Sequence, residues 1–318
     1  MSGPVAYLNG RLVPFAAAGL PLHDAGFVSG ATVVDNARTY GRRLFRWPDH
    51  LARFRRDCAT CYVPLAATDA ELTAIAEDLI ARNGPLLPPG GELQVATFAT
   101  PGPLGFYVGE PANGPPTLGM ATYPVPARYD RFVAEGVTLA VAGHHGTRTS
   151  DLLPPKVKHR SRMVWHVAER RVNDPARSWY KPGAVPVVLT DEGYGDTAVG
   201  GILVVADGEV YFPPDGAVQE SITLKVVDEL CDRLDIPTRT LQPRQSLDGL
   251  AEPAQSGGES TVTGRATELI LAGTGFGLAG VREFARVVGV TRAYTFPGPV
   301  LTRLRAAWAE EVGLARGL

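Results

Sequence analysis

The sequence predicts an α+β fold of two domains: a small mixed α/β domain over residues 1–125 and a larger, β-rich domain with outer helices over residues 126–318. The chain has 318 residues, enough for two domains with cores of their own. Pro124-Val-Pro126 marks the boundary. Beyond it, strand-like runs do not alternate regularly with helices, as they would in a doubly wound fold.

The first domain begins with a predicted β-hairpin. Val5–Leu8 and Arg11–Pro14 are joined by Asn9-Gly10, a strong two-residue turn signal. A second hairpin is predicted around Tyr40-Gly41. The other predicted elements are a helix over His50–Cys61 capped by Asp49, a helix that follows the capping box Thr68–Glu71, and strands over Glu92–Thr97 and Pro116–Tyr123.

The second domain is predicted to hold more strands than helices. Strands are predicted over residues 137–142, 185–190, 201–206 and 209–212, and the last two are joined by the tight turn Asp207-Gly208. Helices are predicted over residues 161–172, 223–234 and 300–312, from apolar residues at helical spacing.

Composition argues against several classes of function. The formal net charge of −2 gives no reason to expect nucleic acid or an anionic membrane as a partner. No apolar run is long enough to span a bilayer, and the first twenty or so residues lack the pattern of a signal peptide. Three cysteines, an odd number, do not make a disulfide framework. These features predict a cytoplasmic protein.

Three patterns that resemble functional motifs do not indicate a redox, dinucleotide-binding or metal site. Cys58 and Cys61 form a C-x-x-C, but no second ligand pair accompanies them. Gly275–Gly280 matches the dinucleotide pattern G-x-G-x-x-G, but no acidic residue follows at the spacing of a ribose contact. The six histidines show no metal-ligand spacing, so no protein-bound metal is expected.

Lysine is scarce in this chain. Of 31 basic residues only four are lysines, at positions 156, 158, 181 and 225. Two of them, Lys156 and Lys158, lie in one short stretch before a predicted helix. Lysine, unlike arginine, can lose its proton and condense with a carbonyl. A single lysine is more often a solvated surface residue, so its sequence context decides between the two interpretations.

That context is a series of stretches that occur in one order. They are Asp24–Gly30, Leu44–Phe54, Pro155–His159, Thr190–Thr197, Gln219–Thr223, Thr263–Glu268 and Pro297–Leu304. The series resembles the class IV (fold-type IV) pyridoxal-phosphate enzymes, which include branched-chain and D-amino-acid aminotransferases and aminodeoxychorismate lyases. The resemblance covers nearly the whole chain. It implies a β-barrel-like C-terminal domain that binds pyridoxal phosphate, and a homodimer.

The resemblance also implies roles for single residues. Lys158 matches the lysine that forms the internal aldimine and shuttles a proton, and Lys156 is its competitor two residues earlier. Arg53 matches the phosphate-binding arginine, although an exposed helix arginine is the alternative. Ile222 and Thr223 match the segment whose helix N-terminus binds the phosphate. A plain helix cap is the alternative for Thr223.

The residues expected around the pyridine ring depart from the family pattern. Asp196, followed by Thr197, stands where the family commonly has a glutamate on the pyridinium nitrogen, and a turn residue is the alternative. Gly201 stands for an asparagine. Arg265, followed by Ala266, replaces a small hydroxyl residue, and it would contact the phosphate or a substrate carboxylate.

The predicted substrate site combines small and cationic residues. Ser29 and Val34 stand where relatives often have aromatic side chains, and Arg38 and Arg162 add positive charge. The predicted function is an aminotransferase that uses an amino acid, branched-chain-like or D-, as donor and a 2-oxo acid as acceptor. Two alternatives stay open: a lyase of the aminodeoxychorismate type, and a homologue with weakened catalysis.

Overall fold

The computed structural model describes residues 3–144, 152–176, 180–190, 193–242, 262, 264–285 and 291–314, so residues 191, 192 and 263 of the motifs above lie outside it. The chain forms two compact units. The first comprises Met1–Val125 and Val157–Ser161, and the second comprises Pro126–Lys156 and Arg162–Leu318. The sequence also predicts a division after residue 125, but it assigns residues 157–161 to the second domain.

The first unit is an antiparallel sheet with two long helices packed on one face. Its described strands are β1 (Val5–Leu8), β2 (Arg11–Pro14), β3 (Val33–Tyr40), β4 (Arg43–Leu44), β5 (Leu93–Thr100) and β6 (Thr117–Pro124). Its described helices are α1 (Ala25–Val28), α2 (Trp47–Thr60) and α3 (Asp69–Asn83). The strand order is β2-β1-β6-β5-β3-β4. Leu51, Phe54, Leu72 and Leu79 of α2 and α3 are buried in one apolar core with residues of the sheet.

Two local predictions for this unit are confirmed, and one is wrong. Val5 pairs with Pro14 across the predicted hairpin, and Asn9 and Gly10 both have the positive φ that its turn requires. The Thr68–Glu71 capping box is formed. However, α2 begins at Trp47, not His50, and Asp49 lies inside its first turn. A proline is tolerated in a first helical turn because its missing N–H has no partner there.

The second unit contains a closed, barrel-like ring of strands. Its described strands are β7 (Val137–His144), β8 (Val185–Leu189), β9 (Gly195–Thr197), β10 (Gly201–Ala206), β11 (Glu209–Phe212), β12 (Thr238–Thr240), β13 (Ala266–Gly273), β14 (Gly277–Ala285) and β15 (Thr291–Ala293). The order β10-β13-β14-β7-β8-β9 closes because β9 pairs again with β10. The described helices are α4 (Arg128–Glu135), α5 (Met163–Val172), α6 (Ile222–Arg233) and α7 (Pro299–Glu311), and each packs on strands of this sheet. The predicted α+β fold is therefore confirmed.

The hairpin of β13 and β14 is absent from the sequence prediction. Residues 268–273 of β13 show no polar alternation because Glu268 and the apolar residues after it are all buried. The pattern Gly275–Gly280 lies in the turn and at the start of β14, where a dinucleotide fingerprint would need a helix. The pattern is thus a chance match. None of the helices in the described residues has the length and apolar character needed to cross a bilayer.

Candidate functional site

Lys158 is held in the first unit by its backbone. Residues 158–160 pair with residues 32–34 at the start of β3, and the N–H of Val34 donates to the carbonyl of Lys158 over 3.0 Å. The N–H of Lys158 donates to Oδ2 of Asp57 over 2.8 Å. Lys158 is half-buried, whereas its competitor Lys156 is exposed. The two lysines therefore differ in surroundings although only one residue separates them.

Arg53 belongs to a buried charged cluster on the helix-covered face of the sheet. Its Nε donates to Oδ2 of Asp35 over 2.8 Å, and Nδ1 of His50 lies 2.6 Å from the other carboxylate oxygen. All three side chains are at most 3% exposed. The alternative of an exposed helix arginine fits the half-exposed Arg55 and Arg56, but it does not fit Arg53.

Electrostatics fixes the protonation of this cluster. Burial raises the pKa of Asp35, but the guanidinium of Arg53 and the imidazole of His50 outweigh burial and hold it well below its ordinary value. Burial, helped by the positive charge of Arg53, lowers the pKa of His50 although Asp35 opposes this, and the lowered pKa favours the neutral ring. Because an ionised carboxylate only accepts hydrogen bonds, Nδ1 of His50 is the donor. The cluster is therefore one Asp–Arg ion pair with a neutral histidine beside it.

The predicted substrate residues of the first unit lie in different surroundings. Val34 and Arg38 share the face of β3 opposite to Asp35, because side chains alternate along a strand. Val34 is buried, and Arg38 has its guanidinium 4.0 Å from the centre of the Tyr40 ring. Ser29 is exposed at the C-terminal end of α1. Val34 and Arg38 are thus the two that share one surface.

Asp196 lies in the second unit and is buried on a strand. It forms part of β9, its side chain is buried, and it pairs with Gly201 where the ring of strands closes. Its Oδ1 accepts from the N–H of Thr197 over 2.8 Å, and its Oδ2 accepts from the N–H of Gln219 over 3.4 Å. The hydroxyl of Thr197 donates to the carbonyl of Gly200 over 2.6 Å. Asp196 is therefore not a turn residue; it is a buried carboxylate that accepts hydrogen bonds from two backbone N–H groups.

The N-terminus of α6 lies next to Asp196. The Gln219 amide that bonds Asp196 stands three residues before the first residue of this helix, Ile222. Ser221, not Thr223, is the cap, since its hydroxyl accepts from the N–H of Leu224. Thr223 is the second helical residue and is buried. Its alternative role as a plain helix cap is therefore wrong.

The glycine at position 201 has a local packing reason. A Cβ there would lie 2.8 Å from Cδ1 of Leu224. Leu224 thus packs against the strand that Asp196 joins, and a larger residue at position 201 would push the first turn of α6 away. Gly201 and Leu224 therefore help to hold the helix N-terminus near Asp196.

Arg162 and Arg265 have different positions relative to Asp196. The Nη2 of Arg162 donates to the carbonyl of Ala198 over 2.7 Å, two residues from Asp196. In the β10–β13 pair, however, Gly201 stands opposite Ala272, whereas Ala266 stands opposite Ala206. Arg265 and Ala266 therefore lie at the end of this strand pair away from Asp196.

This register bears on the expectation for Arg265. Five residues of extended strand, about 17 Å at 3.3–3.4 Å each, separate Gly201 from Ala206. Arg265 is partly exposed and forms an ion pair with Asp207 in the turn after β10. The strand register thus gives no support for a role of Arg265 or Ala266 beside the group that Asp196 would bind.

Sequence reasoning missed Asp35, His50 and Asp57 as site residues. The one available signal was a charged residue, Asp35, inside the apolar run from Thr32 to Ala37, where a buried carboxylate needs a partner. Nothing in the local sequence indicates that Asp57 contacts Lys158. Among the described residues, no group of three or more His, Cys, Asp or Glu side chains is arranged to hold a metal ion.

Comparisons with known proteins concern the family and the fold. The profile of the family "Amino-transferase class IV" matches residues 32–284. The branched-chain amino acid aminotransferase of Escherichia coli has 18% identity and a TM-score of 0.77, over 99% of this chain and 97% of that one. The enzyme of that name from T.th., crystallised with pyridoxamine 5'-phosphate, has 19% identity and a TM-score of 0.73, over 99% and 96%.

A third structure is that of the branched-chain aminotransferase from Thermoproteus uzoniensis with norvaline, at 19% identity and a TM-score of 0.74, over 99% of this chain and 97% of that one. No curated protein sequence matches the chain significantly. At these identities the structures establish the shared fold, and the family profile, which covers most of the chain, establishes the relationship. The resemblance seen in the sequence is confirmed, and the chain belongs to the class IV aminotransferase family of pyridoxal-phosphate-dependent enzymes.

Proposed function

We propose that this enzyme transfers the amino group of an amino acid to a 2-oxo acid and that Lys158 is the residue that bonds to its cofactor. Pyridoxal phosphate, when bound, supplies an aldehyde that condenses with a primary amine, with loss of water, and a ring that accepts electron density from the substrate Cα. The observation that carries the proposal is the adjacency of Asp196 to the N-terminus of α6. Together these groups suit one ligand with a basic ring nitrogen and a phosphate.

Each of these groups would have a role suited to the cofactor. Asp196 would accept a hydrogen bond from the protonated ring nitrogen, because backbone N–H groups already orient its carboxylate. The first N–H groups of α6 and the hydroxyl of Thr223 would bind the phosphate. Arg53, held by Asp35 through its Nε, would add positive charge for the phosphate. Lys158 would move a proton between the substrate Cα and the cofactor.

The substrate proposed is an amino acid, branched-chain-like or D-, with a 2-oxo acid as acceptor. Arg38 and Arg162 are candidates for its carboxylate, because guanidinium groups bind carboxylates in a bidentate manner. Val34 would form an apolar wall on the same face of β3 as Arg38. The similar structures described above are branched-chain amino acid aminotransferases, which supports this substrate class.

A homodimer is part of the proposal. Two segments of the first unit carry exposed apolar side chains, with Leu22 78% and Phe106 67% exposed; the others are Phe27, Tyr107 and Val108. A bridge between Asp24 and Pro103 brings the two segments together, so exposed apolar side chains stand on neighbouring segments. We propose that a second copy of the chain covers these side chains.

The three cysteines are all free thiols, which supports a reducing, cytoplasmic location.

Reductive trapping tests the proposal. The protein is incubated with pyridoxal phosphate and reduced with borohydride, and peptide mass spectrometry then locates the label. We expect label on Lys158 and its loss in Lys158→Ala, whereas the matched control Lys156→Ala keeps it. Amino donors are then screened by the appearance of pyridoxamine phosphate in a single turnover.

Each result of this test has a defined meaning. Absence of label on Lys158 in the parent protein would overturn the proposal. Release of pyruvate from aminodeoxychorismate without pyridoxamine phosphate would favour the lyase alternative. The dimer is checked by light scattering of the parent and of Phe106→Asp, which we expect to be monomeric.

A further inference from the structure

Asp57 is a buried carboxylate that none of the roles above uses. Its side chain is 1% exposed. Its Oδ1 accepts from Nη2 of Arg56 over 2.7 Å, and its Oδ2 accepts from the backbone N–H of Lys158 over 2.8 Å. The second bond joins residues 101 positions apart in sequence. One oxygen of a buried carboxylate thus accepts a hydrogen bond from the backbone N–H of the lysine proposed as the reactive residue.

Lys158 is held from both sides. Asp57 on α2 holds its N–H, and Val34 on β3 holds its carbonyl. A lysine side chain is a flexible four-carbon stem, so the position of its backbone decides where its amine can reach. A displacement of about 1 Å in a reactive group is enough to slow a reaction by about 10²-fold. The two backbone hydrogen bonds therefore fix the position of the Lys158 backbone, and with it the region that the side-chain amine can reach.

The same helix face also carries Arg53. Arg53 and Asp57 are four residues apart on α2, which places them on one face with about 5–6 Å between their Cβ atoms. Both are buried. One helical turn therefore links the guanidinium proposed for the phosphate to the carboxylate that holds the lysine backbone.

We infer that Asp57 is the positioning residue for Lys158: by holding the amide of the lysine on α2, it fixes the reach of the amine relative to the guanidinium of Arg53. This inference rests on the proposed function, because it gives Lys158 its importance. Burial raises the pKa of Asp57, while the N–H of Lys158 and the guanidinium of Arg56 oppose that rise. The hydrogen bond from the N–H of Lys158 therefore also favours the ionised form of the carboxylate.

The test compares Asp57→Ala, Asp57→Asn and the parent. The control is Asp78→Ala, which removes an exposed carboxylate of α3 paired with Arg82. Each protein is labelled with pyridoxal phosphate and borohydride, and the ratio of label on Lys158 to label on Lys156 is measured. In Asp57→Ala we expect this ratio to fall at least about tenfold, because a hydrogen bond to a charged group is lost. Asp57→Asn keeps an accepting oxygen and should stay within about twofold of the parent.

A second readout needs no cofactor. Hydrogen exchange of the peptide that spans residues 157–161 is measured in the cofactor-free proteins, and we expect Asp57→Ala to exchange faster than the parent and Asp78→Ala. Equal exchange, or a parent-like labelling ratio in Asp57→Ala, would overturn the inference. If the parent carries no label on Lys158, the proposed function fails, and the exchange result still decides whether Asp57 holds this backbone.

A fallback covers a failure of Asp57→Ala to fold. Asp57→Glu keeps the charge but moves the acceptor by one methylene, so we expect a lower ratio than in Asp57→Asn. A ratio in Asp57→Glu equal to that of the parent would count against positioning. The free energies of unfolding of Asp57→Asn and the parent are compared as well, so that the labelling ratio is read at matched stability.

Discussion

Nε of Arg53 donates to Oδ2 of Asp35 over 2.8 Å, and both side chains are almost fully buried. Each residue needs the other, because an unpaired charge in the protein interior strongly destabilises the folded state. The pair joins β3 to α2, the two elements that also hold the backbone of Lys158.

Removal of one partner should therefore destabilise the fold. Asp35→Asn leaves the guanidinium of Arg53 buried without a counter-charge, and we expect a loss of about 3–5 kcal/mol in the free energy of unfolding. Urea denaturation of the cofactor-free protein measures it. The control Asp78→Asn breaks an exposed pair with Arg82 and should change stability by about 0–1 kcal/mol. Equal losses in both variants would contradict the assignment.

Acidification should weaken the fold through His50. Its pKa in the folded protein lies below the ordinary value of 6.5 because the ring is buried. The unfolded chain therefore binds the proton more readily, and the free energy of unfolding falls as the pH drops through about 6.5. Urea denaturation at about pH 7.5 and about pH 5.5 should show this loss in the parent and a smaller loss in His50→Gln.

The control for this pH effect is His166→Gln, which changes an exposed histidine on α5 and should keep the pH dependence of the parent. An identical slope in the parent and in His50→Gln would mean that His50 does not stay neutral in the folded protein.

Arg53→Lys tests the phosphate role. Lysine keeps the positive charge but lacks the planar fork that binds Asp35 and that would bind a phosphate at the same time. We expect the affinity for pyridoxal phosphate to fall by about 10–100-fold, which corresponds to the loss of a charge-assisted hydrogen bond. Titration followed by cofactor absorbance measures it. Arg55→Lys, on the same helix but paired with the exposed Asp69, is the matched control and should bind like the parent.

Asp196→Asn tests the ring contact. The amide keeps an acceptor for one of the two backbone N–H groups and loses the charge that would favour a protonated ring nitrogen. We expect the cofactor still to bind and the rate of the half-reaction with an amino donor to fall about 10²-fold. Stopped-flow absorbance gives this rate. Asp215→Asn, an exposed residue of the same unit, should react like the parent.

Gly298→Ala tests the attachment of α7. Glu268 of β13 accepts from the N–H groups of Val300 and Leu301 at the first turn of this helix, both over 3.0 Å. A Cβ at position 298 would lie 1.9 Å from Cδ of Glu268, so the carboxylate must move. We expect a loss of about 1–3 kcal/mol by urea denaturation. Gly19→Ala, which meets no atom within 4 Å, should be close to neutral.

Structural elements whose contacts join residues close in sequence could be predicted from the amino-acid sequence alone. The turn at Asn9-Gly10 needs only residues that tolerate positive φ, and the Thr68–Glu71 capping box is satisfied within one helical turn. The order of short motifs was also sufficient to predict the family and to single out Lys158 as the candidate lysine. Such signals survive in the sequence because each depends on a few adjacent residues.

Which groups meet in space depends on the tertiary structure. Asp35 and Arg53 are 18 residues apart, and Asp57 and Lys158 are 101 apart. The register of β10 and β13 separates Arg265 from Asp196, although the motif order suggested that both serve one ligand. The partner and the ionisation of a buried carboxylate depend on residues that are distant in sequence and meet it only in the folded protein. A local sequence pattern therefore cannot predict them.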